Sequence, residues 1–237
     1  GPIDGKGAGR WVVNARHLYE IVREAPTADL SIRSAEANGL EVMAGKARFR
    51  IVGMNPDDFP NVPPVGGKDE SSLDPDDLSE MIEKTFYAAS TDEARYTLNG
   101  LYLTGIEGKD GKKWLRMVAT DGHRLSYTDR EFGGKWTPGK GILVPRKGIQ
   151  EGRRLLGEEE GDLLVASDEK AIRFRRGPVT LSVRLIDGEF PNYEQVIPKK
   201  TERVAAVARQ ELEGALKRAS ILTSSDGRGV KLTLSSG

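Results

Sequence analysis

Along the first fifty residues the spacing of apolar positions changes once. Leu18, Ile21, Val22 and Ala25 recur at helical intervals with Arg16, His17, Glu20 and Arg23 between them, which predicts a helix entered from an extended Val12-Val13 and closed by Pro26. Beyond it the period drops to two: Leu30/Ile32, Leu40/Val42 and Ala47/Phe49/Ile51 read as three strands, with Asn38-Gly39 and Gly45 at the turns. The stretch from 62 onward, with Pro63, Pro64, Gly66-Gly67 and a run of acids, reads as a linker, drawn at 65–76. A second helix is expected from its end. Asp74 is the N-cap, Pro75 the first helical residue, and Leu78, Met81, Ile82, Thr85, Phe86 and Ala89 the buried stripe. Strands are expected near 99–106, 114–119, 125–128 and 141–144, then a basic helix from Arg146 to Leu156. Further strands are expected near 163–166, 171–176 and 179–186, then a helix on Leu212, Ala215, Leu216 and Ala219 and a strand at 229–235.

This order repeats. Phe59-Pro60-Asn61 returns as Phe190-Pro191-Asn192, and the strand-to-helix entry at Val13 returns at Val144, each 131 positions on. Ala89-Ser90 matches Ala219-Ser220 at an offset of 130. The chain therefore reads as the second half of one repeat (1–64), the linker, a whole repeat (77–198) and the first half of a third (199–237). Each whole repeat would be an α+β unit of two helices packed on antiparallel sheets, and several such units in series imply an arc or a ring.

Composition narrows the function more by exclusion than by pointing. The 237 residues contain no cysteine, which removes disulfides, thiolate zinc sites and cysteine nucleophiles and fits a reducing, cytoplasmic setting. No run of about 18 apolar residues marks a membrane span, and the opening Gly-Pro-Ile-Asp has no apolar core of a signal peptide. The 36 basic and 36 acidic residues cancel, but they are segregated. Residues 69–83 carry seven acids and no base, whereas Lys135, Lys140, Arg146, Lys147, Arg153 and Arg154 face only Glu151 over 135–154. Such segregation predicts surfaces of opposite sign, the basic one suited to a polyanion.

Val118 to Leu125 concentrates the candidate chemistry. An apolar run breaks at Asp121-Gly122, a turn dipeptide, and resumes after His123-Arg124, so a histidine, an arginine and a threonine are presented at the edge of a buried sheet. One reading is a hydrolytic or phosphoryl-transfer site on Asp121, His123 and Arg124. Against it stand the lack of a second nearby histidine for a metal and of a nucleophile elbow, and Gly5-Lys6-Gly7-Ala8-Gly9 lacks the spacing of a phosphate-binding loop. A second alternative is a repeat protein that serves only as a protein-interaction scaffold.

Five strings decide the comparison. Tyr96-Thr97-Leu98-Asn99-Gly100, Val118 to Leu125, Val144-Pro145-Arg146-Lys147-Gly148, Phe190 to Pro198, and Ser220-Ile221-Leu222 with Arg228-Gly229-Val230-Lys231-Leu232 resemble the bacterial DNA polymerase III β sliding clamps, in order and in spacing, from about residue 11 to the end and short of the family's length at both ends. That resemblance implies a non-enzymatic processivity factor, a dimeric ring of similar domains around duplex DNA, without a cofactor. It implies partners that dock by short peptides: polymerase subunits, the clamp loader and repair proteins.

Carried over by position, the peptide pocket would use Leu98, Thr120, Gly122, His123, Arg124, Leu125, Pro191 and Val196. Burying two apolar anchors there at roughly 1.5 to 3 kcal/mol each, less the cost of ordering a peptide, predicts about micromolar affinity. DNA would face Arg95, Tyr96, Arg146, Lys147 and Arg228, cations suited to phosphates rather than bases. Phe49, Ile221 and Leu222 would meet across a subunit interface. Two departures from the family pattern, Gly227 and Gln195, are expected to alter peptide preference, and the shorter chain to weaken partner binding.

Overall fold

The computed structural model describes residues 9–26, 29–60, 70–108, 110–200, 204–221 and 230–233. In the N-terminal part, β1 (Val12–Val13) pairs antiparallel with β5 (Gly53–Met54). Helix α1 (Ala15–Arg23) starts where the Asn14 side chain accepts hydrogen bonds from the amides of Arg16 and His17, which satisfies donors that have no partner inside the helix. The alternating stretches form a meander of β2 (Ser31–Ser34), β3 (Leu40–Ala44) and β4 (Ala47–Ile51), with β3 in the middle. Leu40, Val42 and Ile51 make its small core, and Val13, Leu18, Ile21 and Leu30 pack against it. Val22, expected on the buried stripe, is exposed. So are Ile32 and Phe49, which flank Val42 in register on the outer strands. The sheet is too narrow to cover the whole apolar face of the helix.

The central part is built on two four-stranded antiparallel sheets. One has the order β10 (Ile142–Pro145), β7 (Gly100–Glu107), β8 (Lys113–Thr120), β9 (Leu125–Glu131). The other runs β13 (Val179–Arg184), β12 (Ala171–Arg176), β11 (Leu163–Ser167), β6 (Ser71–Leu73). Helices α2 (Pro75–Thr85) and α3 (Arg146–Glu158) pack against each other, α2 over β8 and β9, α3 over β7, β10, β12 and β13. Asp74 caps α2 through the amides of Asp76 and Asp77, and Leu78, Met81, Ile82 and Thr85 are buried as the spacing predicts. One continuous core joins both helices to both sheets through residues such as Met81, Leu101, Leu115, Ile149, Val165 and Ile172.

Two sequence expectations are corrected. The segment drawn as linker at 65–76 lies outside the described residues up to 69, but from 71 onward it belongs to the central part. Ser71–Leu73 is an edge strand on β11, Ser71 Oγ accepts from the buried amide of Trp136 at 2.8 Å, and α2 begins at Pro75. The strand expected at 229–235 is described only at 230–233, where the backbone joins no ladder, and a strand exists only by pairing. The helix expected on Leu212 and Leu216 is α4 (Arg209–Ser220), none of whose residues is buried. Among the described residues no helix is long and apolar enough to cross a membrane.

Candidate functional site

The β8–β9 turn is held by its own side chains. Gly122 sits at φ +88°, where a Cβ would be strained. Asp121 Oδ1 accepts from the amides of His123 (2.9 Å) and Arg124 (3.0 Å), while Thr120 Oγ1 accepts from the Gly122 amide and donates to the Arg124 carbonyl at 2.7 Å. These amide bonds, the Arg124 one foremost, hold the Asp121 carboxyl below its ordinary pKa. Its second oxygen takes the Arg124 guanidinium at 3.1 Å, and that guanidinium also reaches the Tyr87 carbonyl at 2.7 Å and lies over the Tyr87 ring. Asp121 is thus bound to the turn's amides and to Arg124, while the His123 side chain is left exposed. An acid–base pair on Asp121 and His123 would need that carboxylate turned toward the imidazole.

One segment touches this turn directly, and a second packs on that segment and on the sheet. Leu98 closes a 3-10 turn (Tyr96–Leu98), and Arg95 just before it donates to the Asp121 carbonyl at 3.1 Å. Gly188 packs so closely on Tyr96 and Thr97 that a Cβ there would lie 2.9 Å from the Thr97 methyl. From Gly188 the chain lays Phe190 on Tyr102, rings parallel at 5.0 Å, and buries Tyr193 beside both. Strand register puts Tyr102, Val118 and Tyr127 in one row and Thr120 opposite Leu125, all on the sheet face turned away from the helices. Pro191 and Val196 bracket Tyr193 and stay exposed, Val196 at 68%. The eight pocket residues named from the sequence occupy three segments, 96–98, 120–125 and 190–196: Arg95 joins the first to the second, and Gly188 and Phe190 set the third against the first and against Tyr102 of the same sheet.

The residues expected to face DNA fall in two places. Arg95 and Tyr96 stand with the turn rather than with α3. Arg146, at the start of α3, places its guanidinium 4.0 Å from the Phe86 ring centre and donates to the Phe86 and Ala89 carbonyls at the end of α2, so it ties the two helices together. Lys147 and Arg153 are exposed and, among the described residues, form no ion pair, whereas Arg154 faces Glu151 and Glu158. Arg130 of β9 bonds Asp77 and Glu80 of the neighbouring α2, and Lys84 joins Glu80, whose carboxyl is held down at about 2 by Lys84 first and Arg130 second. The acidic run is thereby partly neutralised beside the basic helix. Phe49 and Ile221 are both exposed; Leu222, Gly227 and Arg228 lie outside the described residues.

Sequence reasoning passed over a charged pair that ties β8 to β9 on this face. Arg116 and Asp129 face each other across β8 and β9 in a bidentate pair of 2.7 and 2.8 Å. Counting outward from the 121–124 turn would have placed them opposite one another.

Comparison with known proteins follows the same division of the chain. The family model described as DNA polymerase III beta subunit, central domain, matches residues 72–192, and that of the N-terminal domain matches 3–63. The beta sliding clamp of Pseudomonas aeruginosa is 35% identical over 234 residues, covering 99% of this chain and 62% of that protein. That of Caulobacter vibrioides is 36% identical, covering 97% and 62%. Among solved structures, the Caulobacter crescentus pol III beta superposes with a TM-score of 0.84 at 34% identity over 92% of this chain and 59% of the other. A Bartonella birtlesii sliding clamp bound to griselimycin gives 0.81 at 34%, over 94% and 60%. The chain thus spans about three fifths of the length of the relatives it matches.

Proposed function

The chain belongs to the DNA polymerase III β subunit family, and from that premise we propose that it acts as a sliding-clamp polypeptide, a non-catalytic tether that holds replication partners on duplex DNA. The reading assigns residues up to 60 to the second half of a first clamp domain, 70–198 to a complete second domain and 204 onward to the first half of a third. Partners are polymerase subunits, the clamp loader and repair proteins, engaged through short linear peptides. The assembly is a homo-oligomer in the cytoplasm, and no cofactor takes part.

The observation that supports this reading is the linking of 96–98 to the 120–125 turn through Arg95 and the packing of Gly188, at the head of the 190–196 segment, on Tyr96 and Thr97. In this reading Leu98, Leu125, Pro191 and Val196 serve as apolar contacts, with Gly122 permitting close approach of a backbone and His123 and Arg124 available to a peptide's polar groups. On the helical side Lys147 projects from α3 as a cation suited to phosphate. Arg146 supplies charge from a fixed position.

A fluorescent synthetic peptide carrying glutamine, leucine and phenylalanine should bind saturably, at about micromolar Kd. Griselimycin, which the Bartonella relative binds, should displace it. Leu125→Asp should abolish binding while leaving the unfolding midpoint near that of the parent. In parallel, Lys147→Glu should lower the slope of log affinity for duplex DNA against log salt by about one. An unchanged peptide isotherm for Leu125→Asp would overturn the socket, and an unchanged salt slope would leave a scaffold that binds proteins alone.

A further inference from the structure

The Arg124 guanidinium is fastened at three points, and two of them belong to a residue outside the turn. Nε donates to Asp121 Oδ2 at 3.1 Å, Nη2 donates to the Tyr87 carbonyl at 2.7 Å, and the guanidinium carbon stands 5.5 Å from the centre of the Tyr87 ring. The bond to Asp121 alone would hold one edge of a long side chain that is 59% exposed. The Tyr87 carbonyl and ring add a second edge and a face, and they come from a different element. Nη1 makes no hydrogen bond among the described residues, so its N–H groups remain for a ligand.

Tyr87 can serve as an anchor because its own position is set by others. It is the middle residue of the 3-10 turn Phe86–Ala88, which follows α2 directly and ends on a buried Ala88. Arg146 donates to the carbonyls of Phe86 and Ala89, on either side of it. The Tyr87 phenol donates to Ser126 Oγ at 3.3 Å, and Ser126 Oγ donates in turn to the Lys84 carbonyl. Although half exposed, the side chain is thus engaged at both 124 and 126, on the side of the chain that faces the end of α2. Leu125, between them, pairs with Thr120 on the face turned away from the helices. The turn therefore presents an apolar side chain on one face and a fixed cation at the rim beside α2.

We propose that Tyr87 is a positioning residue for the peptide socket: its ring and carbonyl hold the Arg124 guanidinium in place, so that Nη1 can donate to a main-chain carbonyl of the bound peptide. The proposal rests on the socket reading above and adds to it a residue that no motif in the sequence singles out. A guanidinium already held loses less rotamer freedom on binding than a free one, and the difference appears as affinity.

The test uses the full chain and the same fluorescent peptide. Tyr87→Ala should weaken binding about two- to fivefold, the effect of losing a cation–π contact at an exposed site. Tyr87→Phe, which keeps the ring and the carbonyl, should bind as the parent does. Arg124→Gln should weaken binding about tenfold, for the loss of a charge-assisted bond. The double variant supplies the readout that neither a structural role nor a direct contact of Tyr87 would give: in the Arg124→Gln background, Tyr87→Ala should cost nothing further. Should Tyr87→Ala unfold, Tyr87→Leu, which keeps bulk and loses the aromatic face, takes its place. Should Arg124→Gln bind no peptide at all, exchange of the Arg124 Nε–H with water, followed by NMR on the unliganded chain, decides instead, and it should be faster in Tyr87→Ala than in the parent. A loss below about twofold in Tyr87→Ala, an equal loss in Tyr87→Phe or in the Arg124→Gln background, or unchanged exchange overturns the positioning role and leaves the socket standing. Absence of peptide binding by the unaltered chain overturns the socket and this inference with it.

Discussion

The central part and the N-terminal part are built from the same half-repeat, yet one is closed and the other open. In the centre, α3 lies between a partner helix and two sheets, and its buried side disappears into a core that runs from Leu73 to Val183. At the N-terminus, α1 enters in the same way after a Val-Val strand, but it meets a single narrow sheet and a core of three buried residues, Leu40, Val42 and Ile51. The difference shows how much of a helix's burial comes from what is opposite it rather than from its own pattern. Ile149 and its counterpart 131 positions earlier, Leu18, have similar side chains; Ile149 is buried and Leu18 only half so.

The largest effect expected from this contrast is in the core. Ile149→Ala should cost about 2 to 5 kcal/mol, since a buried isoleucine leaves both lost contacts and a cavity. Val42→Ala in β3 should cost about 1.5 kcal/mol, for roughly two methylene groups. Urea unfolding followed by tryptophan fluorescence separates them, because Trp11 reports on the N-terminal part and Trp114 and Trp136 on the centre. Equal shifts of all signals by either substitution would mean that the two parts melt as one, and the comparison would fail.

Next in size is the clip between helices. Arg146 stacks on Phe86 and bonds two carbonyls at the end of α2, and the residue 131 positions earlier is Ala15, which has nothing to offer a second helix. Arg146→Ala makes the centre resemble the N-terminus at that point and should lower its stability by about 1 to 3 kcal/mol, for hydrogen bonds from a charged group and a cation–π contact. Lys147→Ala, one residue on and exposed, should change stability by less than about 0.5 kcal/mol in the same denaturation experiment.

A third contrast lies in a pair of equivalent turns. Between β11 and β12, Asp168 accepts from the amides of Lys170 and Ala171, both at 2.8 Å. The equivalent N-terminal turn has Ala37 in that place, with Ala37 and Asn38 both at positive φ. Asp168→Ala should destabilise by about 1 kcal/mol and Ala37→Gly should stabilise by a similar amount, because glycine has no Cβ to strain there. Thermal melts of the two variants moving in the same direction would contradict the account.

Much of this was legible in the order of residues because it is local. Asp74-Pro75 begins a helix, Asp121-Gly122 turns a hairpin, and the spacing of Leu78, Met81 and Ile82 names the buried side, all within a few positions. The expected pocket segments could be named by likeness, but their placement depends on Gly188 packing on Tyr96 and Phe190 stacking on Tyr102, contacts over many tens of residues. Strand β6 escaped for the same reason. Its two serines and one leucine carry no visible alternation, and it exists only because β11, far along the chain, offers it an edge. Arg146 was legible only in part: its charge at a helix start could be read from the sequence, but not its stacking on Phe86.

Gly148 and Gly152 lie on the buried side of α3, and at Gly148 a Cβ would stand 2.3 Å from a Val183 methyl. At Gly148 the separation of helix and sheet is therefore set by the helix main chain against the Val183 side chain, and tolerance there is one-sided: any larger residue at 148 must push one of them aside. A larger residue at 148 would lift the helix as a rod and carry Lys147, Gln150 and Arg153 outward together. The height of the charged row above the sheet is a geometric constant of this fold, set by an atom that is not there.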